Sequence, residues 1–438
     1  VIIMSAAVIP PPALSDDAIR RLLVDRVDEQ RLSVGMVVGI TEANSHRFIA
    51  HGCRDTCGGG PVNEKTLFEI GSITKLFTAL LLCDMANRGE VGLDEPVAEL
   101  LPAGTRVPAR DGKAITLRDL ASHYSGLPRV ATNGDRPDRP GGPYAVYSAE
   151  RLYEFLSNHD LTRTPGDNFE YSNVGAGLLG HALVLRAGAT GYESLIRARI
   201  LDPVGMDDTV IAIPPRLKAN VASGHDDSLE PASDWTFDVL AGTGALRSNL
   251  SDLLRFMDAL CDPGSPIAAM IGPLMTSRDQ GGLELGMPHP HGAMALTKPG
   301  GTGGARGFVR CIPEWKRGVV VLSNASIDAV VDLGIHVLDP RCDLMSYPKE
   351  VAIDPACLAR LVGRYQVSPD WVLDVTSTGD RLHVRRLADQ PRVFPTSEWH
   401  FFYKSAPLHL IFEPGDDGRA ARLILHHNGT DQIAERIA

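Results

Sequence analysis

The chain reads as an α+β protein with a second, all-β unit appended at its C-terminus. Three observations carry that expectation. Strand-like segments near both ends of the first 340 residues flank a mostly helical middle. A helix-like apolar run follows Ser72. Beyond about residue 351 the pattern changes to short alternating segments broken by Gly and Asp turns. With 438 residues the chain is long enough for two or three domains. The expected division is a catalytic domain over 15–345 and a small antiparallel β-domain over 351–438, joined by a linker from Arg341 to Glu350.

The elements follow in order. Ser15 precedes Asp16-Asp17-Ala18-Ile19, an N-cap with acids in the first turn, so a helix is expected over about 15–30. Val34 to Ile40 and Arg47 to Ala50 read as two paired strands. The helix after Ser72 buries Leu76, Phe77, Leu80, Leu81 and Met85, and Gly89 suits its C-terminal end. Helix and loop fill about 90–235, with a long Gly/Pro-rich loop over 134–143 that has the character of a functional rim. Strands return at Gly307–Ile312 and Gly318–Asn324, and a helix is expected near 326–338. The first and last strands would pair into one antiparallel sheet. In the C-terminal unit, segments around 374–376, 382–384, 408–412 and 423–427 alternate as barrel or curved-sheet strands do.

Composition narrows the function. A formal net charge of −11 argues against an extended nucleic-acid surface. No apolar run approaches about 18–20 residues, so no membrane span is expected. The seven cysteines follow no metal-finger spacing; Cys53 and Cys57 lack a second ligand pair, and the thiols read as reduced and structural. The N-terminus allows two readings: a cytoplasmic protein if Met4 is the start, a periplasmic or secreted one if residues 1–7 are the tail of a signal peptide.

The chemistry concentrates in three places. Ser72 and Lys75, three apart in Gly71-Ser72-Ile73-Thr74-Lys75, share one face of a helical turn. A desolvated lysine can take the serine proton, and a helix N-terminus favours both the neutral amine and a developing oxyanion. Tyr171-Ser172-Asn173 places a phenol and an amide on one short turn. A phenol near lysines would have its phenolate favoured, making Tyr171 a second candidate base. Its bland reading is a buried tyrosine bonding the turn. Lys298-Pro299-Gly300-Gly301 puts a lysine on a late strand before bare backbone, where Gly300 would let substrate approach. The amides of Ser72 and Gly301 could form an oxyanion hole. Tyr144 and Tyr147, which follow the long loop, are candidates for lining a pocket. His289-Pro290-His291 reads as solvated rim rather than a metal site, and Asp207-Asp208 as a turn. No metal or cofactor is expected. A Gly-x-Ser-x-Gly elbow is absent, which disfavours an α/β-hydrolase.

Ser-x-x-Lys, Tyr-x-Asn and Lys-x-Gly in that order resemble the serine β-lactamase and penicillin-binding-protein superfamily. The likeness is closer to class C β-lactamases, DD-peptidases, D-aminopeptidases and the β-lactamase-like family VIII carboxylesterases. It covers roughly residues 15–340, including Ile115 to Pro128, Leu201 to Thr209 and Leu240 to Ser248. The resemblance implies a β-lactamase/transpeptidase-like fold and an acyl-enzyme at Ser72. Lys75 and Tyr171 would share proton transfer, Asn173 would bond Lys75 and the substrate amide, and Lys298 would hold the positive potential. The implied substrate is a small ester, amide, peptide or β-lactam. One departure matters: Pro299 stands where relatives carry Thr or Ser. It lacks both a hydroxyl for a substrate carboxylate and an N–H. The reading therefore leans to an esterase-like or specialised amide or peptide hydrolase with weak β-lactamase action. The alternatives are a true class C-type β-lactamase, a D-Ala-D-Ala carboxypeptidase, and a non-catalytic penicillin-binding-like protein.

Overall fold

A computed structural model describes residues 10–43, 45–56, 58–134, 140–369, 371–385, 392–404, 408–427 and 429–437. The leader at 1–7, Cys57 and the centre of the 134–143 loop lie outside the described residues. The expected sheet is present. Six antiparallel strands run in the order Ser45–Gly52, Gly35–Glu42, Arg317–Ser323, Arg306–Ile312, Met294–Gly301, Gly286–Pro288. Closing the earliest strands onto the latest fixes the chain ends of the catalytic region in one layer.

The strands are apolar on both faces because both are covered. Val38 pairs with Val321, and both point to a layer holding Ile19 and Leu23 of helix Asp16–Val24 with Leu333 and Val337 of helix Val331–Leu338. Their neighbours Val37 and Leu322 point the other way, toward helix Leu250–Cys261 and helix Thr74–Asn87. That alternation is the period-2 rule at work. Helix Thr74–Asn87 is buried on every side from Thr74 to Met85, so it serves as the central rod of the domain. Phe77 stacks on Phe256 at 4.4 Å between centroids, tying this rod to the sheet-covering helix.

The helical middle is set by its caps. Thr116 and Asp119 form a reciprocal capping box. The Ser172 hydroxyl accepts the Gly175 N–H at 2.9 Å and starts helix Asn173–Ala187 directly after Tyr171. Among the described residues no helix is long and apolar enough to cross a membrane. Cys83, Cys311 and Cys357 are buried free thiols, Cys53 is exposed, and Cys261 Sγ lies 3.0 Å from Cys311 Sγ.

The C-terminal strands close into an eight-stranded barrel, each paired to the next and the last to the first through Tyr365 and Arg436. Register shifts between Gln366 and Ser368 and between Glu413 and Pro414 mark bulges in this wall. Tyr365, Leu373, Phe412, Leu423 and Leu425 fill its interior. Arg381 pairs with Glu230 at 2.6 Å, and Lys404 with Glu350 at 2.9 Å, so the barrel touches both the linker and the loop leading to Trp235.

Phe256→Ala should empty the space beside Phe77 and cost about 3–5 kcal/mol. Urea unfolding followed by near-ultraviolet circular dichroism measures it; a loss below about 1 kcal/mol would show that the rod is not held by this stack.

Candidate active site

The turn that carries Ser72 is pinned from both sides. The Ile70 N–H donates to the Leu246 carbonyl at 3.1 Å, and the Leu246 N–H donates to Thr74 Oγ1 at 3.2 Å. Between these anchors Gly71 adopts φ +47°, which swings Ser72 to the head of the helix. The turn lies directly on the strand that carries Lys298. A Cβ on Gly300 would sit 2.1 Å from the Ile70 carbonyl, and one on Gly71 2.6 Å from the Gly301 amide nitrogen. Neither position admits a side chain, so the glycines are what let Ser72 and Lys298 share a cleft.

In that cleft Ser72 Oγ lies 3.1 Å from Lys75 Nζ and 2.8 Å from the Tyr171 hydroxyl. Lys75 is buried and donates to the Thr243 carbonyl at 2.7 Å. Burial, with the nearby charges of Lys298 and Arg129, pulls its ammonium well below the usual lysine range. Tyr171 goes the other way: burial raises it, against the Ser72 hydrogen bond and Arg129. The expectation of a favoured phenolate is therefore corrected. At the phenol desolvation outweighs the neighbouring cations, and at Lys75 burial disfavours the charged form. Lys298, also desolvated, is lowered to about 8.

The supporting residues were only partly foreseen. Asn173 does not bond Lys75. Its amide donates to the Tyr144 hydroxyl at 2.8 Å, and its Oδ1 is buried with no partner among the described residues. The Thr243 carbonyl takes the lysine instead, while the Thr243 hydroxyl donates to the Asn173 carbonyl. Tyr144 is buried behind the cleft, stacked on Phe237 at 5.1 Å. Tyr147 is a correction: it sits in the core, its hydroxyl donating to Asn133 Oδ1 at 2.7 Å, and lines no part of the cleft. An aromatic residue after a long loop fits a pocket or a core equally, and here a buried partner decided for the core.

Several residues escaped the sequence reading. His123 is buried and its Nδ1 accepts the Ser172 N–H at 3.2 Å, fixing the turn after Tyr171. Burial and the two lysines hold it neutral, lowered to about 3. Glu69 accepts from Thr302 Oγ1 at 2.5 Å, the Trp235 N–H at 2.8 Å and Arg247 at 2.9 Å, joining three walls of the cleft. Arg129, Trp235, Arg306 and Asp328 line the cleft, which encloses about 430 Å³. A short carboxylate three residues before Ser72 and an arginine just after Gly126-Leu127-Pro128 were visible in sequence, but their partners are over 40 residues away.

The His289/His291 segment is also corrected. His289 is buried, not rim: its Nε2 lies 2.9 Å from Asp339 and His291 Nδ1 2.7 Å from the same carboxylate oxygen. With Cys342 these groups put four ligand-type atoms within 4.8 Å of one another. Arg310 donates to His289 Nδ1 at 3.0 Å, so Nε2 carries the proton and offers no lone pair inward. Arg341 occupies both Asp339 oxygens at 2.8 Å. The cluster is thus a satisfied ionic network and a poor cation site.

Residues 19–335 match the model of the family described as Beta-lactamase. The chain is 26% identical over 421 residues to penicillin-binding protein 4* of Bacillus subtilis (strain 168), covering 86% of this chain and 89% of that protein. It is 28% identical over 350 residues to the D-alanyl-D-alanine-carboxypeptidase/endopeptidase AmpH of Escherichia coli (strain K12), covering 74% and 87%. In fold it is similar to the octameric penicillin-binding protein homologue from Pyrococcus abyssi, with TM-score 0.65 and 22% identity over 96% of this chain and all of that one. It also resembles a class C beta lactamase from Rhodobacter sphaeroides, with TM-score 0.61 and 24% identity over 74% and 97%.

Glu69→Ala should release Thr302, the Trp235 backbone and Arg247 together and lower stability by about 2–3 kcal/mol. Thermal and urea unfolding read it, and an unchanged melting midpoint would show that the three walls hold without the carboxylate.

Proposed function

Because the chain belongs to the beta-lactamase family of serine hydrolases, we propose that it forms an acyl-enzyme at Ser72 and cleaves small esters and amide or peptide bonds, with weak action on β-lactams. The observation that carries this reading is the contact of Ser72 Oγ with both a buried, charge-depleted Lys75 and a neutral Tyr171.

The steps follow from those contacts. The Lys75 amine accepts the Ser72 proton as Oγ attacks the carbonyl carbon. The oxyanion is received by the amides of Ser72 and Gly301, which the Gly71 contact brings together. Tyr171 passes a proton to the leaving oxygen or nitrogen as the bond breaks, and the ester on Ser72 remains. Water then attacks the acyl carbon with the same pair acting in reverse. Lys75 and Tyr171 exchange protons with one serine, so they titrate as a unit. Asn173 Oδ1, which has no partner among the described residues, supports an acceptor role for this amide toward the acyl part of a substrate. Pro299 supports the lean away from β-lactams: it is exposed in the cleft and offers neither hydroxyl nor N–H. Thr302 does not replace that hydroxyl, since its own is committed to Glu69.

Ser72→Ala should abolish hydrolysis of a short-chain nitrophenyl ester and of a chromogenic cephalosporin while leaving the melting temperature unchanged. Retained turnover would sink the acyl-enzyme reading, and faster cephalosporin than ester turnover in the unaltered protein would reverse the substrate order.

The pH profile is fixed in sign. Lys75 must be uncharged, so kcat/KM falls as pH drops through its lowered pKa. Lys298 must be charged, so kcat/KM falls again as pH rises through about 8. The alkaline limb should disappear in Lys298→Gln; an identical limb in that variant would remove Lys298 from the assignment.

A further inference from the structure

Two thiols meet where a helix covers the sheet. Cys261 ends helix Leu250–Cys261, and Cys311 lies within strand Arg306–Ile312. Their Sγ atoms stand 3.0 Å apart although 50 residues separate them in the chain. Among the described residues no other two cysteines touch. Cys311 is fully enclosed, while Cys261 keeps part of its surface open to solvent. The backbone is held on both sides. Cys311 is paired in register with Gly318 and with Leu296, the latter on the strand that bears Lys298. The helix is seated by Phe256 on Phe77 and by Met257 over Gly318, where an added Cβ would lie 2.8 Å from the Met257 Cβ. The packing of helix on sheet therefore imposes the meeting of the sulfurs.

We propose that Cys261 and Cys311 are a redox modification site, a dithiol that a peroxide converts to a disulfide and an added thiol restores. The proposal is independent of the hydrolytic reading. Cys261, the sulfur open to solvent, attacks one peroxide oxygen as its thiolate. The O–O bond breaks, and hydroxide leaves and takes up a proton to become water. Cys311 then attacks the sulfenic sulfur of Cys261. The S–S bond forms, the S–O bond breaks, and the oxygen departs as water with the Cys311 proton. Two thiols lose two electrons in all, and one peroxide becomes two waters. The Cys261 contact and burial push the Cys311 thiol well above the usual cysteine range, so it keeps its proton until the sulfenic acid is beside it. The bond ties the helix packed on Phe77 to the strand next to that of Lys298. It closes a loop of 50 residues, which restricts the unfolded chain.

The test treats the full chain with hydrogen peroxide, alkylates it with iodoacetamide in urea and cuts it with trypsin. Residues 256–278 and 311–316 are separate tryptic peptides, each holding one of the two cysteines. They should appear as one linked species, lighter than their sum by two hydrogens, and separate on adding dithiothreitol. The oxidised protein should melt about 3–8 °C above the reduced one, and dithiothreitol should abolish the rise. Cys261→Ser, treated alike, should show neither the linked species nor the rise. Both peptides recovered alkylated after peroxide, or Cys261 stopping at the sulfinic acid with Cys311 still free, would overturn the site. A linked species with an unchanged melting temperature would overturn its action as a staple.

Discussion

Everything in the cleft depends on one backbone contact: the Ile70 carbonyl seated on Gly300, with Gly71 against Gly301. It is a steric constraint before it is a chemical one. Ser72 belongs to the buried central helix and Lys298 to the strand, and side chains at either glycine would hold the two apart. The hydrogen bonds of Ile70 and Thr74 to Leu246 press the turn into place from the far side. Glu69 extends the same clamp to Thr302, Trp235 and Arg247. The approach of Ser72 to Lys298 is therefore a property of how helix and strand layers meet.

Once the layers meet, desolvation sets the protonation states. Lys75 is enclosed by the helix on which it stands and by the turn bearing Thr243. Losing water costs a charged amine more than a neutral one, and further cations at the same ring add to that cost. The same burial keeps Tyr171 and His123 neutral. Lys75 and Tyr171 both contact Ser72 Oγ, so a proton leaving the serine meets a buried amine and one returning comes from a buried phenol.

The parts of this arrangement that sequence revealed are those encoded locally. Ser72 and Lys75 are three residues apart and Tyr171 and Asn173 two, so helix and turn geometry alone predict their facing. The strands at both ends of the catalytic region were legible because both-faced burial leaves unbroken apolar runs. What was hidden depends on long-range pairing. Tyr147 and Tyr144 have the same local setting, yet one bonds Asn133 in the core and the other bonds Asn173 behind the cleft. His289 read as solvated rim because its cover, Asp339 and Arg310, comes from distant elements. Barrel closure through Tyr365 and Arg436 joins the first and last strands of its sheet, which no local pattern announces.

The cleft strand has a further property that its chemistry does not require. Its neighbour Gly286–Pro288 pairs only with Met294 to Leu296, so from Thr297 to Gly301 no strand covers its outer edge among the described residues. An uncovered edge is a template on which foreign chains can stack. Pro299 stands at the centre of that stretch and has no N–H to offer to a further strand. A proline in such a stretch is one of the ways an open strand edge is kept from pairing with another chain.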